Sequence, residues 1–177
     1  MTRSKTAFGI AAAMIVATGV TPRADVVDAG ATGFTVKIVR HVAAPPAKVF
    51  ATAIAVGTWW AADHTYSGVA ANLTIDPKPG GCWCEQLVNG GGVKHMEVVF
   101  VDPGKLLRFR GGLGPLQSMA ATGALVWEFK AAGDGTDLTW TYAVTGYSPG
   151  GFEQMAPAVD GVLTSQLVNL KTVAEKK

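Results

Sequence analysis

Two stretches of this sequence carry residues whose types and spacing could do chemistry. In the first, Cys82-Trp83-Cys84-Glu85 is followed, across a turn at Asn89 to Gly92, by His95-Met96-Glu97, so adjacent strands would bring thiols, an imidazole and carboxylates together. Side chains alternate along a strand, and the register of the hairpin therefore decides which of them meet. A two- or four-residue turn starting at Asn89 sets Cys84 opposite His95 or Glu97 and puts Cys82, Cys84, His95 and Glu97 on one face. Such a patch could hold a metal ion through Cys82, Cys84 and His95, or do redox work. A three-residue turn instead sets Glu85 opposite His95 and divides the patch between two faces. The plainer reading is that two small soft side chains and a hydrogen-bonded histidine fill a strand. Cys-x-Cys without a second Cys-rich knuckle does not match zinc-site spacing, so neither a metal nor another cofactor is expected. A disulfide between Cys82 and Cys84 would join alpha carbons roughly 6.5 Å apart in an extended strand, near the upper limit for unstrained bridging.

The second stretch is Asp63-His64, shortly after Trp59-Trp60. A histidine beside a carboxylate could be a general base with its orienter. Consecutive side chains rarely point the same way, however, and capping of a helical turn is the simpler role. There is no serine in a nucleophile elbow, no phosphate loop and no dinucleotide fingerprint. The catalytic candidates are therefore His64, His95 and Glu97, with Tyr142 as a further acid or base; His41 reads as a solvated position at a strand end. A broader hint comes from the large rings Trp59, Trp60, Trp83, Phe109, Trp127, Trp140 and Tyr142. Rings bury area in a core and equally stack on an apolar ligand. Together with Leu125, Met155 and Leu163 they form the expected lining of a cavity.

The elements that must position these residues follow from periodicity. Residues 34–42 alternate apolar and polar as a strand does, and Ala43-Ala44-Pro45-Pro46 stops them. Pro46 suits the first turn of a helix, with Val49, Phe50, Ala53 and Ile54 as its apolar face and Gly57 as its end; a second helical turn follows Trp59-Trp60. Four strands, 72–76, 81–88, 93–102 and 105–110, form a meander, and a Gly- and Pro-containing connection at 111–117 precedes a last hairpin of 122–130 and 137–145. The connections 111–117 and 146–151 are expected to flank the cavity as flexible flaps. In residues 157–173, Val159, Val162, Leu163, Leu167 and Leu170 recur at helical spacing, with Gln166 among the polar residues opposite. A stripe of that length needs a surface to cover, so the expected fold is α+β, a curved antiparallel sheet wrapped around a long C-terminal helix, with two short helices after the first strand.

That order of elements resembles the helix-grip fold of the START-like, or SRPBCC, superfamily, in the branch of the heat-shock-protein ATPase activator homologues and the polyketide cyclase-like proteins. The likeness rests on Val42-Ala43-Ala44-Pro45-Pro46-Ala47-Lys48-Val49-Phe50, Trp59-Trp60, Gly80-Gly81, Val101-Asp102-Pro103-Gly104-Lys105-Leu106-Leu107, Gly135-Thr136-Asp137-Leu138-Thr139 and Gln166-Leu167-Val168-Asn169-Leu170. It spans residue 34 to the C terminus. What it implies is a fold, not a reaction, because the superfamily holds lipid carriers, cyclases and hydrolase-like enzymes alike. The activator homologues are typically intracellular, whereas this chain reads as exported, so a chaperone-ATPase role is not expected.

Export is read from the N terminus. Arg3 and Lys5 precede an uncharged run at 6–20 that is too short for a comfortable membrane span, which is the pattern of a secretory signal. Residues 1–24 are taken as that signal, with Ala29-Gly30-Ala31 as an alternative cleavage motif and an uncleaved anchor as a second alternative; no lipobox cysteine follows. Residues 25–33 are expected to be a flexible lead-in, and 34–177 a single domain. Arg3, Lys5 and Arg23 lie in the leader, so its removal takes the formal charge from +2 to −1 and leaves no basic patch for nucleic acid. With 49% apolar residues a sizeable core is expected. Three functions fit: a periplasmic binding protein for a small hydrophobic molecule, without stable membrane insertion after signal cleavage; a cyclase- or hydrolase-like enzyme; or a protein-interaction module with a filled core.

Overall fold

The computed structural model describes residues 25–176; the expected signal segment, 1–24, lies outside them. Eight strands run β1 (Asp25–Gly30), β2 (Gly33–Val42), β3 (Leu73–Ile75), β4 (Cys82–Gln86), β5 (Gly92–Asp102), β6 (Leu106–Gly111), β7 (Ala120–Ala132) and β8 (Gly135–Tyr147). They form one antiparallel sheet in the order β1-β2-β8-β7-β6-β5-β4-β3. Two helices accompany it, α1 (Pro46–Ile54) after β2 and α2 (Met155–Ala174) at the C terminus. This is the helix-grip arrangement. The second short helix expected after the first strand is a set of three-residue 3-10 turns, Val56–Thr58, Ala62–His64 and Ala70–Asn72.

Alternation fixes the inner face of the sheet. Val36 and Ile38 of β2 stand opposite Tyr142 and Trp140 of β8, and Leu125 and Trp127 of β7 stand opposite Tyr142 and Trp140 on the other side. All six side chains are fully buried. The indoles of Trp127 and Trp140 stack with centroids 4.7 Å apart and planes 11° from parallel. Gly123 continues this face where a side chain has no room, since a Cβ there would stand 2.5 Å from the Tyr142 ring. Helix α1 starts at Pro46, whose fixed φ suits the first turn; it seats Phe50 edge-on against Phe129 at 5.4 Å. Along α2, Leu163, Leu167 and Leu170 are buried, and the helix packs on β2, β1 and α1.

Two expectations change. Residues 25–33 are no flexible lead-in: Asp25–Gly30 is the edge strand β1, which pairs with β2 and accepts a hydrogen bond at Gly30 O from the Phe152 N–H at 3.2 Å. The period-2 signal is weak there because Asp25 and Asp28 interrupt the apolar residues. Gln166, assigned to the polar side of α2, is fully buried, and its Oε1 accepts the Ala61 N–H at 2.8 Å. Its oxygen thereby satisfies a backbone donor on the segment beside it, while Nε2 is buried without a hydrogen-bond partner among the described residues. No helix among the described residues is long and apolar enough to cross a membrane.

Candidate functional site

A cavity of about 560 Å³ opens between the N-terminal half of α2, the 3-10 turn Gly114–Ser118 and the segment at 63–66. The stripe of α2 is thereby divided. Leu167 and Leu170 pack into the core, while Met155, Val159, Val162 and Leu163 line the cavity. The second wall is held from beneath by Tyr142, whose hydroxyl donates to Gly111 O at 3.1 Å and accepts the Leu113 N–H at 3.2 Å. This positions Leu113 and Leu116 on the lining. The third wall is fastened twice. Trp60 Nε1–H donates to His64 O at 2.9 Å, and the Tyr66 hydroxyl donates across the gap to Gly114 O at 3.0 Å.

Trp83 and His95 line the sheet side of this space, and a bulge puts the histidine there. Cys82 and Trp83 pair with Glu97 and Met96, but Cys84, Glu85 and Gln86 pair with Lys94, Val93 and Gly92, so His95 is an extra residue with no partner of its own in the ladder. It turns inward beside Met96, and both are buried. His95 Nε2 lies 3.0 Å from Glu85 Oε2. Glu85, only 2% exposed, also accepts the backbone N–H groups of Tyr66 and Ser67. Burial pushes its carboxyl up, but the hydrogen bonds from Ser67, Tyr66 and His95 outweigh that and hold it below the usual carboxylate value. For His95, burial pulls the imidazole below its ordinary value, and the hydrogen bond and charge of Glu85 oppose it without reversing it. An anchored carboxylate therefore orients a neutral imidazole at the wall of an otherwise largely apolar space.

Residues 33–175 match the family described as polyketide cyclase/dehydrase and lipid transport. The chain belongs to that family. Among solved structures, a protein from Rhizobium leguminosarum is similar at 22% identity and a TM-score of 0.62, over 81% of this chain and 95% of that one. A conserved protein from Enterococcus faecalis matches at 15% and 0.61, over 87% and 78%. CalU16 from Micromonospora echinospora matches at 17% and 0.56, over 85% and 82%. At these identities the likeness is one of fold. No curated protein sequence matches significantly.

Within this polyketide cyclase-like domain the residues singled out from sequence fall into three groups. Trp60, Trp83, Met155 and Leu163 line the cavity, as do His64 and His95. Trp59, Phe109, Leu125, Trp127, Trp140 and Tyr142 lie in the packed core instead. Their rings meet one another, for example Phe109 with Trp127 at 4.9 Å and Trp59 with Trp140 at 5.9 Å. The third group lies elsewhere. Glu97 is on the outer face, paired with Lys94, and His41 bonds Asp137 through Nδ1 at 3.0 Å. Tyr142 is no acid or base for the cavity: burial raises its hydroxyl to about 12, and both its hydrogen bonds serve the 111–113 backbone.

The ligand set Cys82, Cys84 and His95 is not assembled. The bulge leaves the cysteines on the outer side of β4 while His95 turns inward, and Cys82 and Cys84 are joined to each other as a disulfide. Their alpha carbons are 5.3 Å apart, closer than in a fully extended strand and inside the ordinary range for a bridge. His64 and Asp63 are exposed on the cavity rim, in the 3-10 turn. Of the two expected flaps, 111–117 forms a wall, whereas at 146–151 the Gly146 N–H donates to Thr32 O. Sequence reasoning did not single out Glu85, Tyr66, Leu113 or Leu116 as site residues. For the first, a signal exists: Val93 is in phase with His95, but Met96 and Val98 are in the opposite phase. That slip within one strand is what a bulge produces.

Proposed function

We propose that this protein binds a small, mainly apolar molecule in the cavity beside the N-terminal half of α2, and that it does so outside the cytoplasm. The observation that carries the binding reading is the cavity itself. Ligand sites are concave, mostly apolar clefts of about 300–1,000 Å³, and this one is lined mainly by apolar side chains. About 560 Å³ is ample for a ligand of one or two rings. A filled interaction module would not leave this space open. Val162 stands on its lining and is only partly buried, so Val162→Trp fills the space without disturbing the core leucines. The neutral probe N-phenyl-1-naphthylamine should brighten on adding wild-type protein and lose at least tenfold in affinity with a folded Val162→Trp variant. Equal binding by both would remove the cavity as the site.

The cyclase- or hydrolase-like reading is favoured by one observation, the Glu85–His95 pair at the wall. A base with its orienter is in place, so His95 would be the group that moves a proton and Glu85 the residue that positions it.

Export rests on Arg3, Lys5 and the uncharged run behind them. Cleavage after Ala24 leaves β1 whole, whereas cleavage after Ala31 would remove the strand that pairs with β2. A Cys82–Cys84 disulfide suits an oxidising compartment such as the periplasm. The mass of the protein purified from periplasmic extract should correspond to a chain starting at Asp25; a full-length chain in the cytosolic fraction would overturn the export reading.

A further inference from the structure

The Glu85–His95 pair sets which polar group the cavity accepts. An ionised carboxylate is an acceptor only, and Glu85 already draws on backbone N–H groups at both oxygens. Its contact with His95 therefore needs the imidazole proton on Nε2. In a neutral ring that leaves Nδ1 with a lone pair and no proton. Nδ1 makes no hydrogen bond within the described residues, while the ring lines the cavity between Tyr66 at 5.9 Å and Trp83 at 6.4 Å. The remaining charge on the lining has the same sign as Glu85: Asp63 stands there, and no lysine or arginine does. An acceptor left open on this lining takes a donor, and a carboxylate beside it would meet two negative groups with no lysine or arginine to offset them.

We infer that the ligand is a neutral, largely apolar molecule bearing a hydroxyl, phenol-like in its chemistry, whose O–H donates to His95 Nδ1, and that the cavity discriminates against carboxylates of the same carbon skeleton. This rests on the ligand-binding reading above. Burial supports it, because it keeps the imidazole neutral near pH 7.

The test compares 4-propylphenol, 4-propylanisole and 4-propylbenzoate by calorimetry at one pH near 7.5. The phenol should bind at least tenfold more tightly than the anisole, which lacks the donor; tenfold corresponds to about 1.4 kcal/mol, the scale of one net hydrogen bond. The benzoate should bind most weakly. His95→Phe should erase the phenol's advantage while keeping anisole binding. Because that variant leaves Glu85 with one partner fewer and could fail to fold, a second readout uses wild-type protein labelled with 15N-histidine. There the His95 ring should show the Nε2–H tautomer, and its Nδ1 resonance should move with the phenol and stay still with the anisole. Equal affinity for phenol and anisole, or a preference for the benzoate, would overturn this inference and leave the binding reading standing. Binding of none of the three would overturn both.

Discussion

Glu85 and His95 are both buried; hydrogen bonds keep the first ionised, and burial keeps the second neutral against the pull of that charge. That arrangement makes acid the weak side of the molecule. The folded state keeps His95 below its ordinary 6.5, so the unfolded chain takes up a proton first and stability falls as pH drops through that value. Glu85 is held below 4.5; its contribution is present above that pH and is lost as the folded carboxyl becomes protonated. Tyr142 acts oppositely, being raised from 10.0 to about 12, so stability is intact below pH 10 and declines above it. Urea midpoints should therefore form a plateau from about pH 6.5 to pH 10 and fall on either side. A midpoint that rises between pH 7 and pH 5 would contradict this account of the pair. At this scale the sequence was partly legible. The residue types of the Cys82 to Glu97 hairpin marked a place where chemistry was concentrated, but which residues met depended on a one-residue slip.

That slip belongs to the element scale. Reading β4 and β5 as an unbroken ladder offers registers that either gather Cys82, Cys84, His95 and Glu97 or separate them with Glu85 opposite His95. The observed bulge separates them while retaining the Trp83 to Met96 pairing. Long elements were legible because their periodicity runs over many residues, as in β7, β8 and α2. Short ones were less so: the 3-10 turns carry no repeat that a period can reveal. The same limit applies within α2, where one stripe serves two surfaces. Nothing in the spacing of Val159, Val162, Leu167 and Leu170 distinguishes cavity from core; the first two face the Gly114–Ser118 turn across the open space, and the last two pack into the core. This is why Val162→Trp is expected to affect binding and not the fold.

At the scale of the whole molecule, the order of strands and helices in sequence leaves few ways to cover the apolar stripe of α2, and the helix-grip architecture is the one adopted. The sequence did not reveal where the sheet would close on its helix and where it would part. The large rings of Phe109, Trp127 and Trp140 pack into the core, and the open space lies toward the N-terminal end of α2, beside Trp60 and Trp83. Whether this space takes a ligand can be read by methyl-labelled NMR during titration with 4-propylphenol. The methyl groups of Leu113, Leu116, Val159, Val162 and Leu163, all on the lining, should shift together and saturate at one dissociation constant. Those of the exposed Val39 and Val99 should stay in place. Shifts confined to Val39 and Val99, or no saturable shift at millimolar phenol, would rule this space out as the ligand site.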